Sequence, residues 1–121
     1  MKYFLDSYAI IEMLKGNRIY LKYLDFDCKT SIFNLYEVLY NLLKIDEKSA
    51  EDSFKEFLKF KIEIEEGWFI EAAKFKLSHK ARDLSYADCI GYIAALKSER
   101  IFLTGDKEFK DLPNVEFVKK Q

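Results

Sequence analysis

The chain has 121 residues, half of them apolar, with 20 basic against 21 acidic side chains and a net charge of −1. That suffices for one core and not two, so a single domain over residues 1–121 is expected, without the blanket of positive charge that marks many nucleic-acid binders. No apolar run reaches the roughly 20 residues of a membrane-spanning helix and no signal-peptide pattern opens the chain, so a cytoplasmic protein with no membrane association is expected.

KYFL reads as a short strand, and Ser7 to Lys15 as a helix with Ile10, Ile11 and Leu14 on one stripe, ended by Gly16 and Asn17. Ile19 to Phe26 is a second helical candidate, and KTSIF is a short second strand. Asn34 opens a helix striped by Leu35, Val38, Leu39, Leu42 and Leu43, and Glu51 to Phe60 carries Phe54, Phe57 and Leu58. KIEIEE alternates like an edge strand, Gly67 breaks it, and Trp68 to His79 returns to helical spacing. Ser85 begins another helix ending near Glu99. IFLT is a buried strand, Asp106 to Lys110 a turn or short helix, and VEFV a last strand after Pro113. Alternating strands and helices predict an α/β layered fold with a mostly parallel sheet.

Cys28 and Cys89 lie far apart without a Cys-x-x-Cys pair, and His79 is the only histidine, which argues against a structural zinc site. Both cysteines read as small core residues. His79 reads as a surface residue of its helix.

Four carboxylates stand at starts of helical pattern: Asp6 after KYFL, Glu37 in NLYEVLY, Asp88 in SYADCIGYIAA and Asp106 after IFLTG. In a parallel sheet the loops leaving the strands' carboxyl ends share one edge, where ligands bind. Asp6 and Asp106 follow the two clearest strands and belong there; Glu37, in the first turn of the helix entered from the second strand, should lie near the same rim. Asp88 follows a helix and loop, and its placement is the least determined. Each acid also has a local explanation, because helix N-termini favour carboxylates. Asn34-x-x-Glu37 and Ser85-x-x-Asp88 both have capping-box spacing. Capping does not explain an acid at every position, since Ser, Thr and Asn serve as well. Clustered carboxylates bind hard divalent ions, and such ions at a sheet edge mean phosphate chemistry.

Other phosphate-handling folds fit less well. A haloacid-dehalogenase-type phosphatase would carry a second Asp where Tyr8 stands, a receiver domain an acidic pair, and a P-loop enzyme a glycine-rich loop, whereas Gly16, Gly67, Gly91 and Gly105 are scattered. No serine-hydrolase elbow is present.

KYFLDSYAII, NLYEVLY, LSYADCIGYIAA and FLTGDKEF, in that order and spacing, resemble the acidic motifs of the PIN domain, specifically the small VapC-type ribonucleases of toxin–antitoxin pairs. The resemblance implies a five-stranded parallel sheet between helices, the three-layer PIN-like sandwich, with Asp6, Glu37, Asp88 and Asp106 as the catalytic acids binding Mg2+ or Mn2+. It pairs Ser7 and Thr104 with the hydroxyl residues that accompany the first and last acids. Glu108 departs from it, standing where many relatives carry a second Asp. An endoribonuclease acting on RNA is implied, with a homodimer and a small antitoxin protein as partners. The alternatives are a housekeeping RNA-processing nuclease and a catalytically silent PIN fold that binds proteins. Lys74, Lys76, Lys80 and Arg82 cluster before SYAD, and Lys80 and Arg82 are the candidate phosphate contacts. Tyr20, Tyr23, Phe26, Tyr36 and Tyr40 are more large rings than one small core needs, although core packing is the simpler reading for most.

Overall fold

The computed structural model describes residues 1–119. Strand β1 (Lys2–Leu5) enters α1 (Ser7–Leu14), and a short α2 (Arg18–Leu21) runs on as a 3-10 turn, Lys22–Asp25, into β2 (Asp27–Lys29). Helices α3 (Ile32–Leu43), α4 (Glu47–Phe57), α5 (Glu66–Ser78) and α6 (Tyr86–Lys97) follow in succession, with a 3-10 turn at Leu58–Phe60. Strand β3 (Ile101–Thr104), a 3-10 turn over Lys107–Phe109 and β4 (Val115–Phe117) close the chain.

The sheet order is β2-β1-β3-β4, with every neighbouring pair parallel. Strand alternation sorts the core into two halves. Tyr3, Leu5 and Leu103 face Ile10, Met13, Leu35 and Val38 of α1 and α3, while Phe4 and Phe102 face Ala72 of α5 and Cys89, Tyr92 and Ile93 of α6. This is the expected α/β sandwich, with helices on both faces of a parallel sheet. Because β2 and β3 flank β1 on opposite sides, the chain reverses direction across the sheet there. The crevice at the carboxyl ends of β1 and β3 is the topological switch point where such folds bind ligands.

Several elements differ from the sequence reading. The second strand lies earlier than KTSIF: β2 is Asp27–Lys29, sharing only Lys29 with it, and Ser31 caps α3 by accepting from the Asn34 N–H at 3.1 Å. KIEIEE contributes one parallel bridge, Lys61 to Thr30, rather than a fifth strand. With the chain turning into α3 directly after Thr30, β2 offers it no further edge to pair with. Gly67 lies inside α5 instead of breaking the chain before it.

Tyr20 and Tyr23 are core residues, whereas Tyr36 and Tyr40 stand 68% and 58% exposed. Cys28 and Cys89 are buried, and burial pushes both thiols up to about 11, so they pack as inert apolar groups. His79 ends α5, its Nδ1 2.9 Å from the Phe75 carbonyl oxygen. Among the described residues no helix is long and apolar enough to cross a membrane.

Candidate active site at the carboxyl edge of the sheet

Asp6 leaves β1 directly into α1, and its Oδ1 caps that helix by accepting the Ala9 N–H at 2.8 Å. Its own N–H donates to the Leu103 carbonyl at 3.3 Å, which ties it to β3. The residue is 1% exposed, and Oδ2 is buried with no hydrogen-bond partner among the described residues. A buried oxygen without a partner is costly, and native structures rarely leave one without a reason. Burial first, then the charge of Asp88 and more weakly that of Asp106, holds the Asp6 carboxyl well above the usual range. The nearby Thr104 hydroxyl and the Ala9 N–H oppose the rise.

Asp88 sits in the first turn of α6, where Ser85 Oγ accepts its N–H at 3.0 Å, so the capping box is real. Capping alone would lower its pKa. Instead burial, then Glu37, with a further contribution from Asp106, push the carboxyl up to about 7 against the pull of Ser85. The residue least determined by sequence is therefore the hub, since its charge is felt by Asp6 and it feels both Glu37 and Asp106.

For Glu37 the capping explanation fails. The helix begins at Ile32 under a Ser31 cap, which puts Glu37 in the second turn, beyond the unpaired N–H groups. It faces a groove shared with Tyr36, Tyr40 and Tyr86. Asp106 caps the 3-10 turn: its Oδ1 accepts the Glu108 N–H at 3.0 Å, and its N–H donates to Thr104 Oγ1 at 3.0 Å. The structure thus brings all four acids to one rim, with Thr104 orienting the last.

Ser7 is buried beneath this rim, its Oγ donating to the Asn34 carbonyl at 3.4 Å and accepting from Asn34 Nδ2 at 3.3 Å. Ser31 Oγ donates to Asn34 Oδ1 at 2.6 Å. Asn34 is the residue that sequence reasoning misplaced. It is the polar link between the starts of α1 and α3, and Ser31-x-x-Asn34 was the available signal. Helix α6 is seated on the same link, because a Cβ at Gly91 would lie 2.9 Å from the Phe4 ring and 3.0 Å from Asn34 Oδ1. Glycine there lets α6 approach until Asp88, one turn earlier, reaches the other acids. Gly105 does the same for the last loop, where a Cβ would lie 2.2 Å from the Tyr8 ring.

Lys80 and Arg82 line an apolar cavity between α5 and α6 of about 490 Å3, bounded also by Phe69, Leu77 and Tyr86. Arg82 is engaged there, paired with both Asp111 oxygens at 2.8 and 3.1 Å and with the Glu108 carbonyl at 2.6 Å.

Among the described residues no three His, Cys, Asp or Glu side chains stand close enough to form a ready metal cage. The four acids are joined through their fields rather than by contact. The donor set still fits a hard divalent ion: it is all carboxylate oxygen, and Asp6 Oδ2 is a buried acceptor awaiting a partner.

A doubly wound parallel sheet with four acids at its switch point defines the class, and the PIN domain model matches residues 3–115. The chain belongs to the PIN domain family. Among solved structures it is similar to a toxin–antitoxin complex from Klebsiella pneumoniae, at 18% identity and a TM-score of 0.79 over 98% of this chain and 99% of that one. VapBC2 from Rickettsia felis, bound to a DNA fragment from its promoter, is similar at 19% identity and 0.76 over the whole of both chains. The sarcin-ricin loop cleaving toxin VapC20 of Mycobacterium tuberculosis is similar at 15% identity and 0.78 over 98% of each. At these identities the likeness is one of fold. No curated protein sequence matches.

Proposed function

We propose that the protein is a metal-dependent endoribonuclease that hydrolyses RNA phosphodiester bonds as the toxin of a toxin–antitoxin pair. The observation that carries this is the raised pKa of Asp88, pushed to about 7 by burial and then by the fields of Glu37 and Asp106, beside a buried Asp6 whose Oδ2 has no partner among the described residues. Structural acids are stabilised by their surroundings, whereas these are held at a cost that a cation would remove. Asp6, Glu37, Asp88 and Asp106 would hold Mg2+ or Mn2+. When bound, such an ion acidifies a water for in-line attack and neutralises charge on the scissile phosphate.

The chain's own part is to hold the carboxyl groups in place. Ala9 fixes one oxygen of Asp6 and leaves the other without a partner among the described residues, while Thr104 orients Asp106 and favours ionised Asp6. Ser7 acts from below through Asn34. Burial and the charge of Glu37 favour the protonated form of Asp88, which gives up its proton to accept a cation. Lys80 and Arg82 are proposed to contact RNA phosphates at the far end of α5, with Arg82 exchanging Asp111 for phosphate.

RNA as substrate, a homodimer, a cytoplasmic location and a small antitoxin partner follow from the family resemblance. Two of the similar structures are toxin–antitoxin assemblies, which supports the antitoxin. The exposed Tyr36, Tyr40 and Tyr86 around Glu37 supply an amphipathic surface for such a partner.

Incubation with a mixed single-stranded RNA pool should give discrete product ends in Mg2+ or Mn2+ and none in EDTA. Cleavage that survives EDTA, or no cleavage with either ion, contradicts the reading.

A further inference from the structure

On the Asp106 side of the acids lies an open cavity of about 470 Å3 whose walls include Tyr8, Gly105 and Phe117 and the three lysines Lys107, Lys110 and Lys119. These lysines come from separate places, the 3-10 turn after Asp106, the residue following that turn, and the segment after β4. In a chain with slightly more acids than bases, three cations around one cavity are a local reversal of sign. None of the three makes an ion pair with a carboxylate among the described residues, although Lys15, Lys48, Lys61 and Lys97 do. Lys110 instead lies over the Phe117 ring, with Nζ 5.3 Å from its centroid.

The acids and the lysines thus put opposite charges on adjoining parts of the surface. Asp106 belongs to both, as a site acid and a wall of the cavity. The volume matches that of a small-ligand pocket, ample for one nucleotide. Tyr8 and Phe117 offer ring faces for a base, while the lysines offer ammonium groups for its phosphate. On the opposite flank, beside Glu37, the groove is lined by aromatic and apolar side chains, with Lys44 and Lys76 lying over its Tyr40 and Tyr86 rings.

We propose that the cavity of Lys107, Lys110 and Lys119 is a nucleotide subsite, binding a phosphate of the single-stranded substrate next to the one that is cut. The proposal rests on the nuclease reading for the identity of the substrate, but its test does not need cleavage. The three lysines are positioned to bind the strand and do not touch the scissile phosphate, so they act on affinity.

The experiment uses a short fluorescent single-stranded RNA pool in Mg2+ and the Asp88→Asn protein, which holds RNA uncut. Binding is measured against salt with and without Lys107→Gln, Lys110→Gln and Lys119→Gln. Each neutralised phosphate contributes about 0.7 to the slope of log affinity against log salt on a single strand, so the triple variant, which loses one, should flatten it by about 0.7 and bind at least about tenfold more weakly. The Lys→Arg triple should keep the original slope, which separates charge from any loss of fold. In the cleaving wild-type background the Gln triple should raise KM and leave kcat nearly unchanged. A salt slope unchanged by the Gln substitutions overturns the subsite, even where the wild type cleaves RNA, and would leave the lysines to an acidic protein partner. Absence of wild-type cleavage with the slope change intact would instead remove the nuclease reading and keep a nucleotide-binding cavity.

Discussion

Asp88→Asn should abolish RNA cleavage and at the same time make the metal-free protein more stable. Few substitutions do both, and the combination follows from what the carboxylate does in this fold. Burial and Glu37 hold it near pKa 7 from an ordinary 3.8, so above neutral pH it is ionised at the expense of folding. One pKa unit corresponds to about 1.4 kcal/mol, and with allowance for solvent reaching this partly buried group the charge costs about 2 kcal/mol at pH 8. Asparagine keeps the shape and removes the charge. The melting temperature in EDTA should rise by about 5–10 °C at pH 8. Cleavage in Mg2+ should fall about 100-fold or more, which is about 2.7 kcal/mol or more of lost transition-state stabilisation. A variant that melts as the wild type does and cleaves as well would show that Asp88 is an ordinary capping residue.

The metal-free wild-type protein should lose stability as pH rises from 5 to 8.5. Asp6 and Asp88 both have folded-state pKa values above their unfolded values. The native state therefore binds more protons than the unfolded chain across that interval. For Asp88 the stability is complete below about 3.8 and lost as pH climbs through about 7. Within that window the slope approaches 1.4 kcal/mol per pH unit for each group that is protonated when folded and ionised when unfolded. Asp27 and Asp111 do not mask it, because Arg100 and Arg82 hold their carboxyls low, and such groups act only at more acid pH. Saturating Mg2+ or Mn2+ should flatten the profile by binding the ionised native site. Urea midpoints at a series of pH values, with EDTA and with metal, measure this directly. A metal-free midpoint that holds steady or rises from pH 5 to 8 would contradict the coupled, buried placement of the two acids.

Strands with strong apolar runs were legible because their pattern is local. KYFL and IFLT became the paired central strands, and strand polarity alone put Asp6 and Asp106 on one edge. KTSIF misled because its Ile-Phe pair looks extended, while the deciding interaction is a single hydroxyl, Ser31 Oγ on the Asn34 N–H. The same misreading put Glu37 at a helix start and lent it a capping role it lacks. Asp88 could not be placed from local pattern, because what positions it is tertiary: Gly91 letting α6 down onto Phe4 and Asn34. The lysine cavity was invisible for a related reason. Lys107, Lys110 and Lys119 are spread over a turn and the segment after β4, whereas the cluster that stands out in sequence, ending at Arg82, proves partly engaged by Asp111.

The central claim is that Asp6, Glu37, Asp88 and Asp106 act as one metal-binding set. The most direct measurement is calorimetric titration of Mn2+ into the wild type and into Asp6→Asn, Glu37→Gln, Asp88→Asn and Asp106→Asn, with RNA cleavage assayed on the same preparations. The wild type should bind Mn2+ and cleave, and each variant should remain folded, bind more weakly and lose cleavage. A wild type that binds no Mn2+, or four variants that bind and cleave as it does, would return Asp6, Asp88 and Asp106 to the role of helix caps and leave Glu37 without a shared one.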